Sequence, residues 1–209
     1  MVIYNIQTNG PCNQLVIELI NDTVFVEPTA VAYVSGAVTL EADVIGWKNK
    51  FKSLFIGKQH FKPSFKGTGK IYLLATLGSY HKFTLKPQEE LVITRKAFIA
   101  CRNSITIRPE IKTSLGDLIS GAPLVNTIVS GTGNVMILMP GPVVEHELKN
   151  DKFVAYAHDV AAYTKQLHVY REFAGKGGLN IAHKMVQVYR GTGNLFFTPI
   201  PNKDSRIKK

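Results

Sequence analysis

The apolar positions of this chain recur in three blocks that align without a gap. Val24–Glu41 reads VFVEPTAVAYVSGAVTLE, Leu91–Arg108 reads LVITRKAFIACRNSITIR, and Phe153–Tyr170 reads FVAYAHDVAAYTKQLHVY. Val24, Leu91 and Phe153 share a column; so do Val31, Phe98 and Val160, then Val38, Ile105 and Leu167, then Leu40, Ile107 and Val169. The last two columns lie two residues apart and therefore on one face of a strand. A column that stays apolar in all three blocks marks the core, so Val38, Phe98, Ile105, Ile107, Val160 and Leu167 are expected to be buried. Cys101 falls in a column with Val34 and Tyr163 and reads as core too.

Other features repeat at similar intervals. Gly-Thr-Gly stands at 67–69, 131–133 and 191–193, each time before an apolar run, and reads as a turn. Gly10-Pro11, Gly78-Ser79 and Gly141-Pro142 precede the blocks and read as strand-joining turns. Trp47, Phe51, Leu54 and Phe55 have the spacing of one helix face, as do Ile111, Leu115, Leu118 and Ile119. The third connector, Phe173–Gly178, is too rich in glycine for a helix. The expected fold is all-β: one domain, residues 1–209, of three tandem β-units at roughly 1–46, 47–110 and 111–209. They form a short double-stranded β-helix or sandwich, with short connector helices. The last unit is cut short and the first lacks its triplet. The C-terminal strand is therefore expected to complete the unit opened by Met1–Tyr4, which removes a free sheet edge.

Hydrophobic residues make up 45% of the 209 and charged residues 19%, which excludes a disordered or low-complexity chain. No apolar run approaches the ~20 residues of a membrane-spanning helix. Two cysteines, Cys12 and Cys101, with no Cys-x-x-Cys, exclude a disulfide scaffold and point to a reducing compartment. The first 47 residues hold no Lys or Arg, unlike a signal peptide or a presequence. The expected location is cytoplasmic, or mitochondrial only if a presequence has been removed. The net charge of +10 is uneven: residues 1–47 carry −5 and residues 44–88 carry +9.

A connector, a β run ending in Gly-x-Gly and an apolar strand, in that order three times over, resemble the altered inheritance of mitochondria family and its bacterial relatives. The resemblance runs from about Leu15 to Thr198 and is best at Phe65–Leu74, Leu91–Ile107 and Ile128–Leu138. It implies a fold like that of the tryptophan RNA-binding attenuation protein, three times in one chain around a pseudo-threefold axis. It implies no established catalytic chemistry, and for the eukaryotic members a link to organisation of the mitochondrial inner membrane.

Candidate chemistry is sparse. Cupin-type β-helix enzymes carry His-x-His, which is absent here; in Glu145-His146-Glu147 the alternation of a strand sets His146 opposite both carboxylates. His158 and His168, with Glu147, form the remaining metal candidate. There is no Gly-x-Ser-x-Gly and no phosphate-binding loop. No catalytic residue, cofactor or small-molecule substrate is evident. The distinctive surface is the segment 47–70, where Trp47, Phe51, Phe55, Phe61 and Phe65 interleave with Lys48, Lys50, Lys52, Lys58, Lys62, Lys66 and Lys70. Lysines among aromatic rings suit anionic lipid or single-stranded nucleic acid, and equally a solvated face above a core. The leading expectation is a non-catalytic β scaffold that forms a homo-oligomer and touches an anionic membrane surface. The alternative is a nucleic-acid-binding module, and the third reading a metal-dependent enzyme.

Overall fold

A computed structural model describes residues 1–41, 63–94, 97–112, 124–156, 159–173 and 185–199. The described chain is all-β. Its strands are β1 (Val2–Asn9), β2 (Cys12–Val26), β3 (Val31–Glu41), β4 (Ser64–Leu73), β5 (Ser79–Leu85), β6 (Glu90–Ile93), β7 (Phe98–Arg102), β8 (Ile105–Lys112), β9 (Leu124–Gly131), β10 (Gly133–Met139), β11 (Val144–Ala155), β12 (Val160–Thr164), β13 (His168–Phe173) and β14 (Met185–Phe197). A single 3-10 turn, Pro28–Ala30, is the helical element among the described residues.

The strands form two antiparallel sheets. One has the order β3-β4-β2-β7-β10-β5, with β1 also on β2; the other has the order β11-β14-β12-β6-β9-β8, with β13 also on β14. Three times, a strand carrying Gly-Thr-Gly lies between the strands that precede it. β4 separates β2 from β3. β9 lies between β6 and β8, and β10 between β5 and β7. β14 lies between β11 and the pair β12 and β13. The ladder on the second strand slips by one residue in the same place each time, between Val31 and Tyr33, between Phe98 and Ala100, and between Val160 and Ala162. Such bulges sharpen the local twist and turn the strand.

The Gly-Thr-Gly triplets are not turns between strands. Two lie inside β4 and β14, and the third spans the step from β9 to β10. Their glycines have φ between 111° and 156°. A Cβ on Gly67 would sit 2.0 Å from the Ala37 carbonyl oxygen, and one on Gly69 2.2 Å from that of Ser35. Glycine is needed here because a neighbouring backbone occupies the side-chain position. The threonine between them has its own role. Asn21 N–H donates to Thr68 Oγ1 at 3.0 Å, and Asn150 N–H to Thr192 Oγ1 at 3.1 Å. Asn21 and Asn150 both have positive φ, and each stands where the first strand bulges. Asp22 and Asp151 follow, each accepting from the next backbone N–H. The Gly10-Pro11 pair is, as expected, the turn of the β1–β2 hairpin.

Three apolar clusters form the core. The first joins Leu15, Ile17, Leu19, Ile71 and Leu73 to Ile99, Ala100 and Met136. The central one gathers Phe83, Ile93, Phe98, Ile105 and Val135 with Ala162 and Phe196. The third holds Leu148, Val160, Tyr163, Leu167 and Tyr189 with Val92 and Ile128. Each fully buried aliphatic side chain of this kind contributes about 1.5–3 kcal/mol.

Phe98, Ile105, Ile107, Val160 and Leu167 are buried as their columns predict. The first block departs from that pattern. Val38 is only half-buried, and Tyr33, Val34 and Leu40 are exposed. The physical reason is position: β3 ends its sheet, while β7 and β12 have strands on both sides. Two further expectations are corrected. β14 pairs with β11, β12 and β13, and β1 with β2, so the C-terminal strand does not complete the N-terminal unit. Ile111 lies in β8, paired with Val125, so no helix begins there; residues 113–123, like Trp47–Phe55, lie outside the described residues.

Candidate functional site

Of the seven lysines singled out by sequence, Lys66 and Lys70 fall within the described residues; Lys48, Lys50, Lys52, Lys58 and Lys62 lie outside them. Alternation along β4 puts Lys66 and Lys70 on one face and Phe65 on the other, where it is buried. Phe65 is therefore a core ring and not a stacking platform. Both lysines meet acids of the neighbouring strands: Lys66 Nζ lies 3.7 Å from Glu41, and Lys70 Nζ lies 4.0 Å from Glu18. Lys66, Lys70 and Glu41 are about half exposed and Glu18 about a third, and pairs so open to solvent add little stability. Lys66 and Lys70 of the basic block thus face acids of the first block within one sheet.

A groove of about 590 Å³ runs between β5, the link from β5 to β6, and the ends of β12 and β14. Phe83 and Phe196 meet edge to face at its base, ring centres 4.7 Å apart, and the His81 ring packs on Phe83 at the same distance. Glu145 of β11 reaches in and accepts from Asn194 Nδ2 at 2.8 Å, while Asn194 N–H donates to Thr164 Oγ1 at 3.0 Å. Lys82, Lys86, Glu89 and Glu90 line the sides, so the groove carries both signs of charge. No sequence pattern singles it out, because His81 and Glu145 lie far apart in the chain and on different sheets.

Burial holds the His81 imidazole below the ordinary histidine range, and the Glu145 carboxylate opposes that shift. The ring is therefore neutral at pH 7. A histidine harder to protonate folded than unfolded contributes stability that is complete above its unfolded pKa of about 6.5 and lost as pH falls through the folded value. Glu145→Gln removes the opposing charge, so the His81 midpoint is expected to fall further. Titration of the ring protons by NMR checks this; an unchanged or higher midpoint would contradict it.

Two buried phenols, Tyr163 and Tyr189, have polar partners. Tyr163 Oη donates to Glu110 at 3.3 Å, Asn126 Nδ2 lies 3.5 Å from the same phenol, and Lys165 pairs with Glu110. Tyr189 Oη donates to Gln187. Desolvation raises the pKa of both phenols, reinforced at Tyr163 by the Glu110 charge, so both stay protonated near neutrality. This arrangement ties β8 and β9 to β12, as satisfied buried polar groups do.

The histidine candidates do not converge. The His146 ring packs on Phe153, with centres 5.1 Å apart. His168 pairs with Arg190 on one side of β14, and Glu147 with Asn194 on the other; His158 lies outside the described residues. Among the described residues no three of His, Cys, Asp and Glu are placed to hold a metal ion. No helix among them is long and apolar enough to cross a membrane.

The fold has a solved counterpart. A crystal structure of a protein from Streptococcus pyogenes superimposes with a TM-score of 0.75 at 18% identity, covering 96% of this chain and 94% of that one. No curated protein matches the sequence significantly. The sequence model of the mitochondrial biogenesis AIM24 family matches residues 4–200, almost the whole fold described above, and the chain belongs to that family.

Proposed function

We propose that this chain is a non-catalytic β scaffold of three like units that self-associates and engages an anionic surface. The strand pairing favours units of 12–73, 79–139 and 144–197, each closed by its Gly-Thr-Gly strand. The observation that carries self-association is β3: an edge strand of 11 residues on which Tyr33 and Leu40 are more than half exposed. Long edge strands with apolar side chains invite another chain unless something covers them. The non-catalytic reading draws support from Tyr163 and Tyr189, whose buried hydroxyls are engaged by Glu110 and Gln187.

The anionic surface is argued from charge. Nine lysines and no acid in residues 44–88 repel one another unless solvent or a partner screens them. The second connector carries only Lys112, offset by Asp117, so the fold does not require lysines there. Changing Lys48, Lys50, Lys52 and Lys58 together to Gln is expected to abolish retention on acidic liposomes at ~50 mM salt and to leave stability unchanged. Wild-type retention should fall steeply by ~200 mM salt. Retention on RNA but not on liposomes would favour the nucleic-acid reading, with its own steep salt dependence. Unchanged behaviour on both would leave the lysines as a solubilising face. Metal analysis of purified protein tests the enzyme reading.

A further inference from the structure

Two short antiparallel junctions, β2 beside β7 and β6 beside β12, are built alike. At the first, Val24, Phe25 and Val26 of β2 lie opposite Arg102, Cys101 and Ala100 of β7. At the second, Leu91, Val92 and Ile93 of β6 lie opposite Thr164, Tyr163 and Ala162 of β12. One more backbone bond extends each ladder: Glu27 N–H donates to the Ile99 carbonyl at 2.7 Å, and Thr94 N–H to that of Ala161 at 2.9 Å. Every one of these positions maps onto its counterpart through the gapless alignment of the three blocks.

The same alignment supplies the two halves of a third junction. Phe153, Val154 and Ala155 of β11 stand where Val24–Val26 and Leu91–Ile93 stand. Tyr33, Val34 and Ser35 of β3 stand where Ala100–Arg102 and Ala162–Thr164 stand. These halves are not paired in the chain: β3 ends one sheet and β11 ends the other. Their central side chains are more exposed than their counterparts. Val34 is 37% exposed where Cys101 and Tyr163 are at 0% and 1%, and Val154 is 49% exposed where Val92 is at 0% and Phe25 is partly buried. Beside Val154, a hollow of about 320 Å³ opens between Phe153, Tyr156, Val186 and Phe197.

We propose that a second copy of this chain completes the junction. Phe153–Ala155 of one molecule pairs antiparallel with Tyr33–Ser35 of the next, with Phe153 opposite Ser35, Val154 opposite Val34 and Ala155 opposite Tyr33. The pairing continues an interface the chain already makes twice. Ala155 is small, so the facing Tyr33 ring has room over the hollow. Because the two edges differ, the contact is head to tail, and successive copies add until a ring closes or a filament grows. Backbone pairing at an open edge supplies the attraction, and the apolar side chains set the register. This inference rests on the self-association proposed above and names its surface.

The test uses the full chain with Cys12→Ser, Val34→Cys and Val154→Cys; Cys101 is buried and stays. Directly opposite cysteines on antiparallel strands lie within disulfide reach. Mild oxidation is expected to give a ladder of covalent dimers and larger species that collapses on reduction. A mixture of the two single-cysteine chains should give a cross-linked dimer that neither gives alone. A disulfide within one chain would overturn the proposal, because the edges would then close in cis. Absence of any cross-link, while the native mass of wild type rises with concentration, would overturn this contact and leave self-association standing. A wild type that stays monomeric at every concentration would overturn both. Val34→Lys and Val154→Lys, at exposed positions, should each weaken association by about tenfold or more without moving the thermal midpoint; unchanged association in both would also overturn the contact.

Discussion

Phe98→Ala is expected to destabilise the chain by about 3–5 kcal/mol, the range for deleting a buried aromatic ring. Phe98 opens β7 and is 4% exposed, within the central cluster that Phe83, Ile137 and Phe196 also build. Strands from both sheets line that cluster, so the cavity left by the ring cannot collapse from one side alone. Urea unfolding monitored by circular dichroism gives the comparison. Val31→Ala, in the same column but half-buried at the sheet edge, should cost far less, about 1 kcal/mol. A loss below about 1 kcal/mol for Phe98→Ala would place that column on the surface in every block.

Gly67→Ala is the second large effect. Gly67 has φ +134°, and the new Cβ would meet the Ala37 carbonyl oxygen at 2.0 Å, its carbon at 3.1 Å and Val38 Cα at 3.2 Å. All three are backbone atoms and cannot rotate away. Strain in that region of φ costs about 1–3 kcal/mol by itself. Relief of the clash must then separate β3 from β4. The expected result is a stability loss beyond the strain alone, with faster amide exchange across β3. Gly10→Ala separates the two effects: φ is +58° and nothing lies within 4 Å of its Cβ, so only conformational strain applies. Equal losses for the two variants would show that the approach of Ala37 does not matter.

Strand class and most of the core could be read from the columns, since burial on one face imposes period two whatever the topology. Phe98, Val160 and Leu167 are buried for that reason. The columns misread Val34 and Leu40 because burial depends on what lies beside a strand, and sheet order is a long-range property. Gly-Thr-Gly signalled special backbone conformation correctly but not its place. The reason lies in neighbouring strands: Gly67, Gly69 and Gly131 admit a carbonyl, and Thr68 and Thr192 accept from the bulged Asn21 and Asn150. The signal that pointed there is the recurring Asn-Asp at 21–22 and 150–151. Ile111 matched a helical stripe over four residues only, too short to outweigh pairing with β9. The groove was invisible because His81 stands on β5 of one sheet and Glu145 on β11 of the other, and only the packing of the two sheets brings them to one groove. For Lys66 and Lys70, composition revealed the charge, but only the sheet brought Glu41 and Glu18 beside them.

In each trio the middle strand is the last to be synthesised. β4 follows β2 and β3 in the chain yet lies between them, and β14 does the same for β11 to β13. A ribosome that has released β3 but not Ser64–Leu73 therefore displays a strand with no neighbour on its own side of the sheet. Among the described residues, the hairpin formed before Ser64–Leu73 is made is β1 on β2. The growing polypeptide must wait for each third strand before a segment can close, and it passes through that vulnerable state three times. Pausing, chaperone capture and nascent-chain aggregation are thus expected to concentrate just before Ser64, Leu124 and Met185 emerge from the exit tunnel.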